Sequence, residues 1–103
     1  MRTINIFLTD PMAGDLPDFE NGDLCYAFAR LYPDGPRRLV EGPVCAFVDW
    51  VMDDLSGLEM CRRLRSDPRM QDAHITIVLE EDDAQDKRRA LRAGADDYIT
   101  GPI

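Results

Sequence analysis

The residues "VCAFVDWVMDDLSGLEMCRRLRSDP", at positions 44–68, join a buried strand to a helix. The first five are continuously apolar, a pattern typical of a strand with both faces covered, and they end at Asp49. Ser56 and Glu59 form a capping box at the start of the expected helix, and Pro68 lies beyond its end. The stretch therefore predicts one strand–loop–helix unit of an α/β protein, with several acids in its loop.

Three further apolar runs predict strands of the same kind. They are continuous rather than alternating, so each strand is expected to be buried on both faces. Because helical segments separate the later runs, the chain has the strand–helix alternation of right-handed βαβ units. The runs are "TINIFL" at 3–8, "HITIVL" at 74–79 and "DYITG" at 97–101.

A second helix is predicted over "AQDKRRALRA", residues 84–93. Asp83 can cap its first turn, and Gly94 stands where a left-handed C-terminal cap is expected. The residues expected to face the core are Ala84, Leu91 and the stem of Lys87.

Two segments have weaker patterns. Residues 24–31 fit both a helical and an alternating period, and the turn residues at 34–36 favour a strand followed by a short helix at 36–41. Residues 11–22 are interrupted by two glycines and a proline and have no apolar face. Any helix there is expected to be short or broken.

Composition limits the classes of function. A chain of 103 residues is long enough for one domain, and its 20 acids against 12 Lys and Arg give a net charge of −8. Such a surface argues against binding nucleic acid or an anionic membrane. No apolar run approaches the roughly 20 residues that span a bilayer, and the N-terminus does not have the pattern of a signal peptide. Cys25, Cys45 and Cys61 lack metal-ligand spacing and predict buried thiols in a reducing cytoplasm.

Two segments at this spacing carry a resemblance to a known family. With "VDWVMDDLSGLEMCRRLRSDP" at 48–68 and "LRAGADDYITGP" at 91–102, the chain resembles the CheY-like receiver domain of bacterial response regulators over essentially all 103 residues. The resemblance implies a flavodoxin-like, doubly wound sheet of five parallel strands in the order 2-1-3-4-5, with its site at the carboxyl ends of the strands. Residues 1–103 would form one such domain. It would have a broken first helix and lack the final helix, because the sequence stops at Ile103.

The resemblance also implies roles for particular residues. Asp49 stands in the position that accepts a phosphoryl group from a histidine kinase. Asp10, Asp49 and the backbone carbonyl of Val51 match the ligands of Mg²⁺, an ion that prefers hard oxygen ligands. Tyr98 matches the aromatic residue that moves inward when the domain is phosphorylated. Such transfer needs an in-line carboxylate and positive charge near the equatorial oxygens.

Several positions depart from the family pattern. Thr9 replaces the first acid of a pair, and Gly101 replaces the lysine expected before the last proline. Glu80 or Glu81 takes the place of a hydroxyl residue at the end of the fourth strand. A phosphoryl group adds about −1.5 to −2 charges, and one ion pair at about 4 Å is worth about 4 kcal/mol at an effective dielectric near 20. These changes predict weak Mg²⁺ binding and poor phosphorylation, which is the description of a degenerate receiver.

Other polar residues have simpler interpretations. Asp53 and Asp54 are expected to be solvated loop acids, and Ser56 to be a helix cap rather than a nucleophile, since His74 is the sole histidine and no triad is available. Two interpretations of the basic row on the second helix stay open, a solvated face and a surface that docks a partner. The members of this row are Lys87, Arg88, Arg89 and Arg92.

The leading hypothesis is a cytoplasmic, non-enzymatic signalling module of a two-component or phosphorelay pathway. It would contact a histidine kinase or another signalling protein and act with little or no phosphorylation. The alternative is a working, Mg²⁺-dependent phosphoacceptor modified on Asp49. A flavodoxin-like redox or nucleotide-binding protein is disfavoured, because the chain has no glycine-rich phosphate loop.

The missing last helix and the broken first one belong to the same face of the sheet in this family. Bare apolar sheet is costly in water and usually marks an interface. We therefore expect this face to be covered by a second copy of the chain, giving a homodimer, or by a covering segment outside these residues.

Overall fold

The computed structural model describes residues 2–10, 16–36, 42–52 and 55–101. Within them the chain forms six strands and two helices. In chain order they are β1 (Arg2–Leu8), β2 (Phe19–Asn21), β3 (Leu24–Arg30), β4 (Val44–Asp49), α1 (Gly57–Ser66), β5 (His74–Leu79), α2 (Ala84–Arg92) and β6 (Asp97–Thr100).

The strands form one sheet in the order β2-β3-β1-β4-β5-β6. Five neighbouring strands, β3, β1, β4, β5 and β6, are parallel to one another. Numbered by themselves in chain order they have the arrangement 2-1-3-4-5, so the expected strand order and the doubly wound class are confirmed. The strand predicted at 24–31 is also confirmed, as β3. The sheet has one strand more than expected, because β2 pairs antiparallel with β3.

The hairpin β2–β3 occupies part of the segment where the first helix was expected. A two-residue loop, Gly22-Asp23, joins the strands, and Gly22 has a φ of 62°, which glycine adopts without steric cost. Phe19 packs against Tyr26 across the pair, with ring centroids 6.1 Å apart. Residues 16–23 therefore contain a strand where a short or broken helix was expected. Residues 11–15 and the helix predicted at 36–41, from residue 37 onward, lie outside the described residues.

Both predicted helices are present and capped as expected. Ser56 Oγ accepts a hydrogen bond from the Glu59 amide at 3.2 Å at the start of α1. Asp83 accepts from the amides of Gln85 and Asp86 at the start of α2. After α2, Gly94 has a φ of 111°, the left-handed conformation expected of a C-terminal cap.

The core lies between one face of the sheet and the two helices. The sheet residues of the core cluster alternate along β4 and β5, and α1 contributes Met60, Cys61 and Leu64 to the same cluster. Burial raises the pKa of the Cys61 thiol to about 11. The sheet residues of this cluster are Phe7, Ala46, Val48, Ile75, Ile77 and Leu79.

The expected inward face of α2 is wrong. Ala84 is exposed and Leu91 is 47% exposed, whereas Ala90 is fully buried. Ala90 and Ala93 lie three residues apart on the side that meets the sheet, and their small size lets α2 approach β5 and β6 closely. Lys87, whose stem was expected to face inward, is half-buried.

The opposite face of the sheet is apolar and only partly buried. In the described part of the chain, both helices pack on the core face. Phe19 is 58% exposed and Ile99 is 37% exposed on this second face. We call it the open face; its half-buried members are Ile4, Ile6, Leu8, Tyr26, Phe28, Cys45 and Phe47.

Neither helix of the described residues has the length and apolar character required to cross a membrane.

Candidate functional site

The ends of β1 and β4 bring Thr9 and Asp49 into direct contact. The strands are parallel neighbours with Leu8 opposite Phe47, and the Thr9 amide donates to the Phe47 carbonyl at 3.2 Å. Thr9 Oγ1 accepts a hydrogen bond from the Asp49 amide at 2.9 Å and donates one to Asp49 Oδ2 at 2.8 Å. The two residues are 40 positions apart in the chain, and Thr9 is only 6% exposed. The carboxylate is thus held by its neighbour's hydroxyl.

The loop after Asp49 folds back on the start of α1. The Trp50 amide donates to Val78 on β5, and the Gly57 amide donates to the Trp50 carbonyl, each at 3.0 Å. Val51 is 64% exposed and forms an isolated bridge with Ser56. This loop places the first turn of α1 directly behind Asp49.

A cleft of about 340 Å³ opens beside Asp49 at the carboxyl ends of β4, β5 and β6. Glu80 and Gly101 lie on its walls, and the Gly101 amide donates to the Leu79 carbonyl at 2.7 Å. Of the two acids that sequence reasoning left open, Glu80 lines this cleft. Glu81 is exposed, and its carbonyl accepts from the Asp83 amide in the turn before α2. The remaining walls are Trp50, Val51, Val78 and Leu79.

The charged residues that line the cleft are acidic. Asp49 and Glu80 are among its lining residues, and within the described part of the chain none of the lining residues is a lysine or an arginine. Lys87, a nearby basic residue of α2, forms an ion pair with Asp82. The hydrogen bond to Asp82 raises the pKa of Lys87, so its ammonium stays charged. None of the described lining residues therefore supplies the cation that the resemblance leads one to expect at position 101.

Tyr98 lies apart from the cleft, on the core side of β6. It stands opposite Ile77 of β5, and the Lys87 ammonium lies 5.4 Å from the centre of its ring. Lys87 thus connects the turn at Asp82, helix α2 and the aromatic residue of β6. The position matches the expected place of Tyr98, and its role as a switch stays a prediction.

The groups expected to bind Mg²⁺ lie at one edge of the sheet. Asp10 and Asp49 follow neighbouring strands at the same edge of the sheet, and Val51 lies two residues beyond Asp49. No three acidic, histidine or cysteine side chains are grouped as metal ligands within the ranges that the structure describes. One carboxylate oxygen of Asp49 already accepts the Thr9 proton. Mg²⁺ is commonly bound by one or two carboxylates and completes its octahedral shell with waters, so these groups are of the kind that the ion prefers, and the Thr9 hydroxyl competes for one of them.

The sequence matches a known protein family over much of its length. The family model for the response regulator receiver domain matches residues 39–103, more than half of the chain. The chain belongs to the response regulator receiver family. The first 38 residues lie outside that match, and they include the hairpin and Thr9.

Curated relatives are response regulators. The chain is 35% identical over 61 residues to the phosphate regulon transcriptional regulatory protein PhoB of Rhizobium meliloti, covering 59% of this chain and 27% of that protein. It is 30% identical over 74 residues to the response regulator PleD of Caulobacter vibrioides, covering 68% of this chain and 16% of PleD. The chain thus spans about a quarter or less of the length of these relatives.

Solved structures share the receiver fold over the whole chain. The response regulator DrrB of Thermotoga maritima has a TM-score of 0.65 at 20% identity, covering 100% of this chain and 46% of DrrB. The chemotaxis protein CheY4 of Vibrio cholerae has a TM-score of 0.65 at 13% identity, covering 100% of this chain and 88% of CheY4. At these identities the likeness concerns the fold of the receiver and not its activity.

The receiver site therefore assembles most of the residues singled out in the sequence. Val51, Glu80, Gly101 and Asp49 line one cleft, and Thr9 contacts Asp49 from the neighbouring strand. Asp53 and Asp54 lie outside the described residues. Sequence reasoning treated Thr9 as a lost acid and missed its bond to Asp49. It also missed Gly57, although the "SGLE" segment, with glycine at a helix start, was a signal of close packing.

Proposed function

We propose that residues 1–103 form the receiver domain of a two-component or phosphorelay response regulator that signals by protein–protein contact, with little or no phosphorylation of Asp49. The observation that carries this proposal is the cleft beside Asp49, where Glu80 lies on the wall and Gly101 offers no cation. A phosphoryl group on Asp49 would enter a cleft whose lining residues include a second acid and no described lysine or arginine. The proposed module is non-enzymatic.

Electrostatics supports a weak phosphorylated state. Each unit charge at about 4 Å contributes about 4 kcal/mol at an effective dielectric near 20. A receiver with a lysine at position 101 would gain an attraction of this order, and here Glu80 adds repulsion instead. Phosphoryl transfer depends mainly on positioning and on positive charge around the transferred group. We therefore expect both the rate of phosphorylation and the population of the phosphorylated state to be low.

A second candidate is a working phosphoacceptor modified on Asp49. The observation in its favour is that the nucleophile position is intact. Asp49 is half-buried, lines the cleft and is supported by the Thr9 hydroxyl. A carboxylate held in one orientation is a suitable nucleophile if a cation reaches it.

Incubation with acetyl phosphate and Mg²⁺, followed by intact-mass measurement of the phosphoryl adduct, decides between these candidates. We expect less than about a tenth of the wild-type chain to carry an acid-labile adduct. Gly101→Lys, which adds the missing cation, should increase this fraction about tenfold or more, as expected for a gain of about 1.4 kcal/mol or more. Asp49→Asn should abolish it.

A stoichiometric adduct on the wild-type chain that Asp49→Asn removes would overturn the degenerate interpretation and establish the second candidate. Beryllofluoride, added to the same samples and followed by amide shifts, tests the folded response without a covalent bond. Failure of Gly101→Lys to gain any adduct would show that the missing lysine is not what limits phosphorylation.

Protein contact is the proposed route of signalling, in the cytoplasm. The partner would be a histidine kinase or another signalling protein. The outer side of α2 offers Arg88 and Arg92 around Leu91, which is 47% exposed. The excess of acids, 20 against 12 basic residues, argues against nucleic-acid binding by this domain. Three free cysteines, one of them buried, suit a reducing compartment.

We also propose that the open face is covered in the functional protein, by a second copy of the receiver or by a further segment. A contiguous apolar sheet face is rarely left in water by a soluble monomer. Phe19 and Ile99 are the most exposed of its apolar residues, at opposite edges of the sheet. Self-association of the 103-residue chain would favour the homodimer.

A further inference from the structure

The Thr9 hydroxyl forms two hydrogen bonds, and both are with Asp49. A hydroxyl has one proton to donate and two lone pairs to accept. Here the proton is donated to Asp49 Oδ2 at 2.8 Å, and one lone pair accepts the Asp49 amide at 2.9 Å. Because Thr9 is 6% exposed, water has little access to compete for this hydroxyl. The pair of bonds fixes both the backbone and the side chain of Asp49.

An acid at position 9 would have the opposite effect. A carboxylate has no proton to donate when ionised, so it would repel Asp49 and would fail to satisfy Asp49 Oδ2. The two groups would then require a cation between them. A neutral hydroxyl instead satisfies a carboxylate oxygen with a charge-assisted hydrogen bond, which is the stronger kind.

We infer that Thr9 is a positioning residue that takes the place of a divalent cation at Asp49. Its hydroxyl holds the ionised carboxylate at the cleft without a metal, and by engaging Oδ2 it lowers the affinity of the site for Mg²⁺. The hydrogen bond from Thr9 thus competes with Mg²⁺ for one of the expected donor groups. The inference rests on the proposed function only in taking Asp49 as the central carboxylate of the receiver site.

Exchange of the Asp49 amide with deuterium tests the bond directly. Thr9→Val removes the hydroxyl with nearly the same shape, and Thr9→Ser retains it. We expect the Asp49 amide to exchange about tenfold or more faster in Thr9→Val, as for loss of one hydrogen bond to a buried group. Thr9→Ser should stay within about threefold of the wild type. Equal protection in wild type and Thr9→Val would overturn the positioning role.

Titration with Mg²⁺ tests the second half of the inference. The chain has one tryptophan, Trp50, which lines the cleft beside Asp49 and reports on its occupation by fluorescence. Thr9→Asp should show a saturable change at a Mg²⁺ concentration about tenfold or more below any change in the wild type. Thr9→Asn introduces a side chain of the same size as aspartate but without its charge, and it should behave as the wild type. Adding Asp49→Asn to the Thr9→Asp variant should remove the fluorescence response.

Saturation of the wild type at the same Mg²⁺ concentration as Thr9→Asp would overturn the inference. If Thr9→Asp does not fold, the exchange comparison of Thr9→Val with Thr9→Ser decides alone. Neither experiment uses a phosphodonor, so a wild-type chain that is readily phosphorylated would refute the proposed function while leaving the Thr9 result intact. Whether or not the wild-type chain is readily phosphorylated, we expect its Asp49 amide to exchange slowly without Mg²⁺.

Discussion

Gly57 shows how one missing methyl group positions the receiver site. A Cβ at this position would overlap the carbonyl oxygen of Asp49 and press on the backbone of Trp50. Both of these contacts are backbone atoms, which cannot rotate away as a side chain could. Gly57 is buried, and its amide donates to the Trp50 carbonyl. The glycine therefore lets α1 begin directly behind Asp49.

Gly57→Ala should lower the free energy of unfolding by about 2–3 kcal/mol, because overpacking of a tight site costs this much. The Asp49 amide should shift in the same variant, since its peptide must move. Gly22→Ala is the matched control: Gly22 has a φ of 62° but no atom within 4 Å of an added Cβ. That control should lose about 1 kcal/mol from backbone strain alone. Urea unfolding of the two variants measures the difference, and equal losses would show that the Asp49 contact is not tight.

Among the secondary-structure elements, Arg65 connects the end of α1 to the segments that precede β5 and β6. Its guanidinium donates to the carbonyls of Gly94 and Ala73, each at 2.7 Å, and to Asp96 at 2.6 Å. The side chain is only 26% exposed. Asp96 also accepts the Ile75 amide at 2.9 Å. One side chain therefore fixes the approach of α1 to the start of β5 and to the turn after α2.

Arg65→Ala should lower the free energy of unfolding by about 2 kcal/mol, because it leaves several polar groups without their partner. Arg62→Ala is the control on the same helix. Arg62 is 58% exposed and lies 3.6 Å from Glu59, so its loss should cost about 0.5 kcal/mol or less. Similar losses in the two variants, measured by urea unfolding at pH 7, would refute the special role of Arg65.

The same contacts make stability depend on pH. Burial acts to raise the pKa of Asp96, but the Ile75 amide and the Arg65 guanidinium outweigh it and hold the pKa below the ordinary value of 3.8. Protonation is therefore easier in the unfolded chain. The stabilisation by Asp96 is present above pH 3.8 and is lost as the pH falls from there through the lower folded value. Asp96→Asn should be less stable than wild type at pH 7, and the difference should shrink at pH values below that window.

At the scale of the whole molecule, the sheet is covered by helices on the core face and apolar on the open face. Val78 and Ile99 stand opposite each other on the open face at one edge, and Phe19 and Tyr26 do so at the other. The described helices give the first face a continuous core. The molecule therefore has an asymmetric distribution of apolar surface, which favours association through the open face.

Sedimentation at micromolar concentrations should show that the 103-residue chain associates, with a weight-average mass that rises with concentration. Phe19→Ser and Ile99→Ser should weaken this association, because both side chains lie on the open face. Leu91→Ser is the control. Leu91 has a similar exposure of 47% but lies on α2, on the other side of the sheet. A strictly monomeric wild type would rule out the homodimer, and an equal effect of Leu91→Ser would place the interface elsewhere.

Local patterns in the sequence were sufficient for most of the elements. The continuous apolar runs predicted β1, β4, β5 and β6, although only β5 is buried on both faces in the described residues. Capping residues predicted where α1 and α2 begin, since their side-chain oxygens accept hydrogen bonds from the first backbone amides of each helix. Asp49 was singled out through the resemblance of its segment to the receiver family, which a local pattern alone does not supply.

Tertiary structure decided the features that depend on distant partners. Strand β2 has three exposed residues without an apolar pattern, and it exists because β3 offers an edge to pair with. The inward side of α2 was predicted wrongly because Leu91 was expected to face the core. The buried residues are alanines, whose small side chains let the helix pack close to the sheet. The choice between Glu80 and Glu81 depended on the turn before α2. The bond between Thr9 and Asp49 joins residues 40 positions apart, and no local pattern contains such a contact. A sequence places a hydroxyl and a carboxylate at strand ends, but the pairing of β1 with β4 brings them within hydrogen-bonding distance.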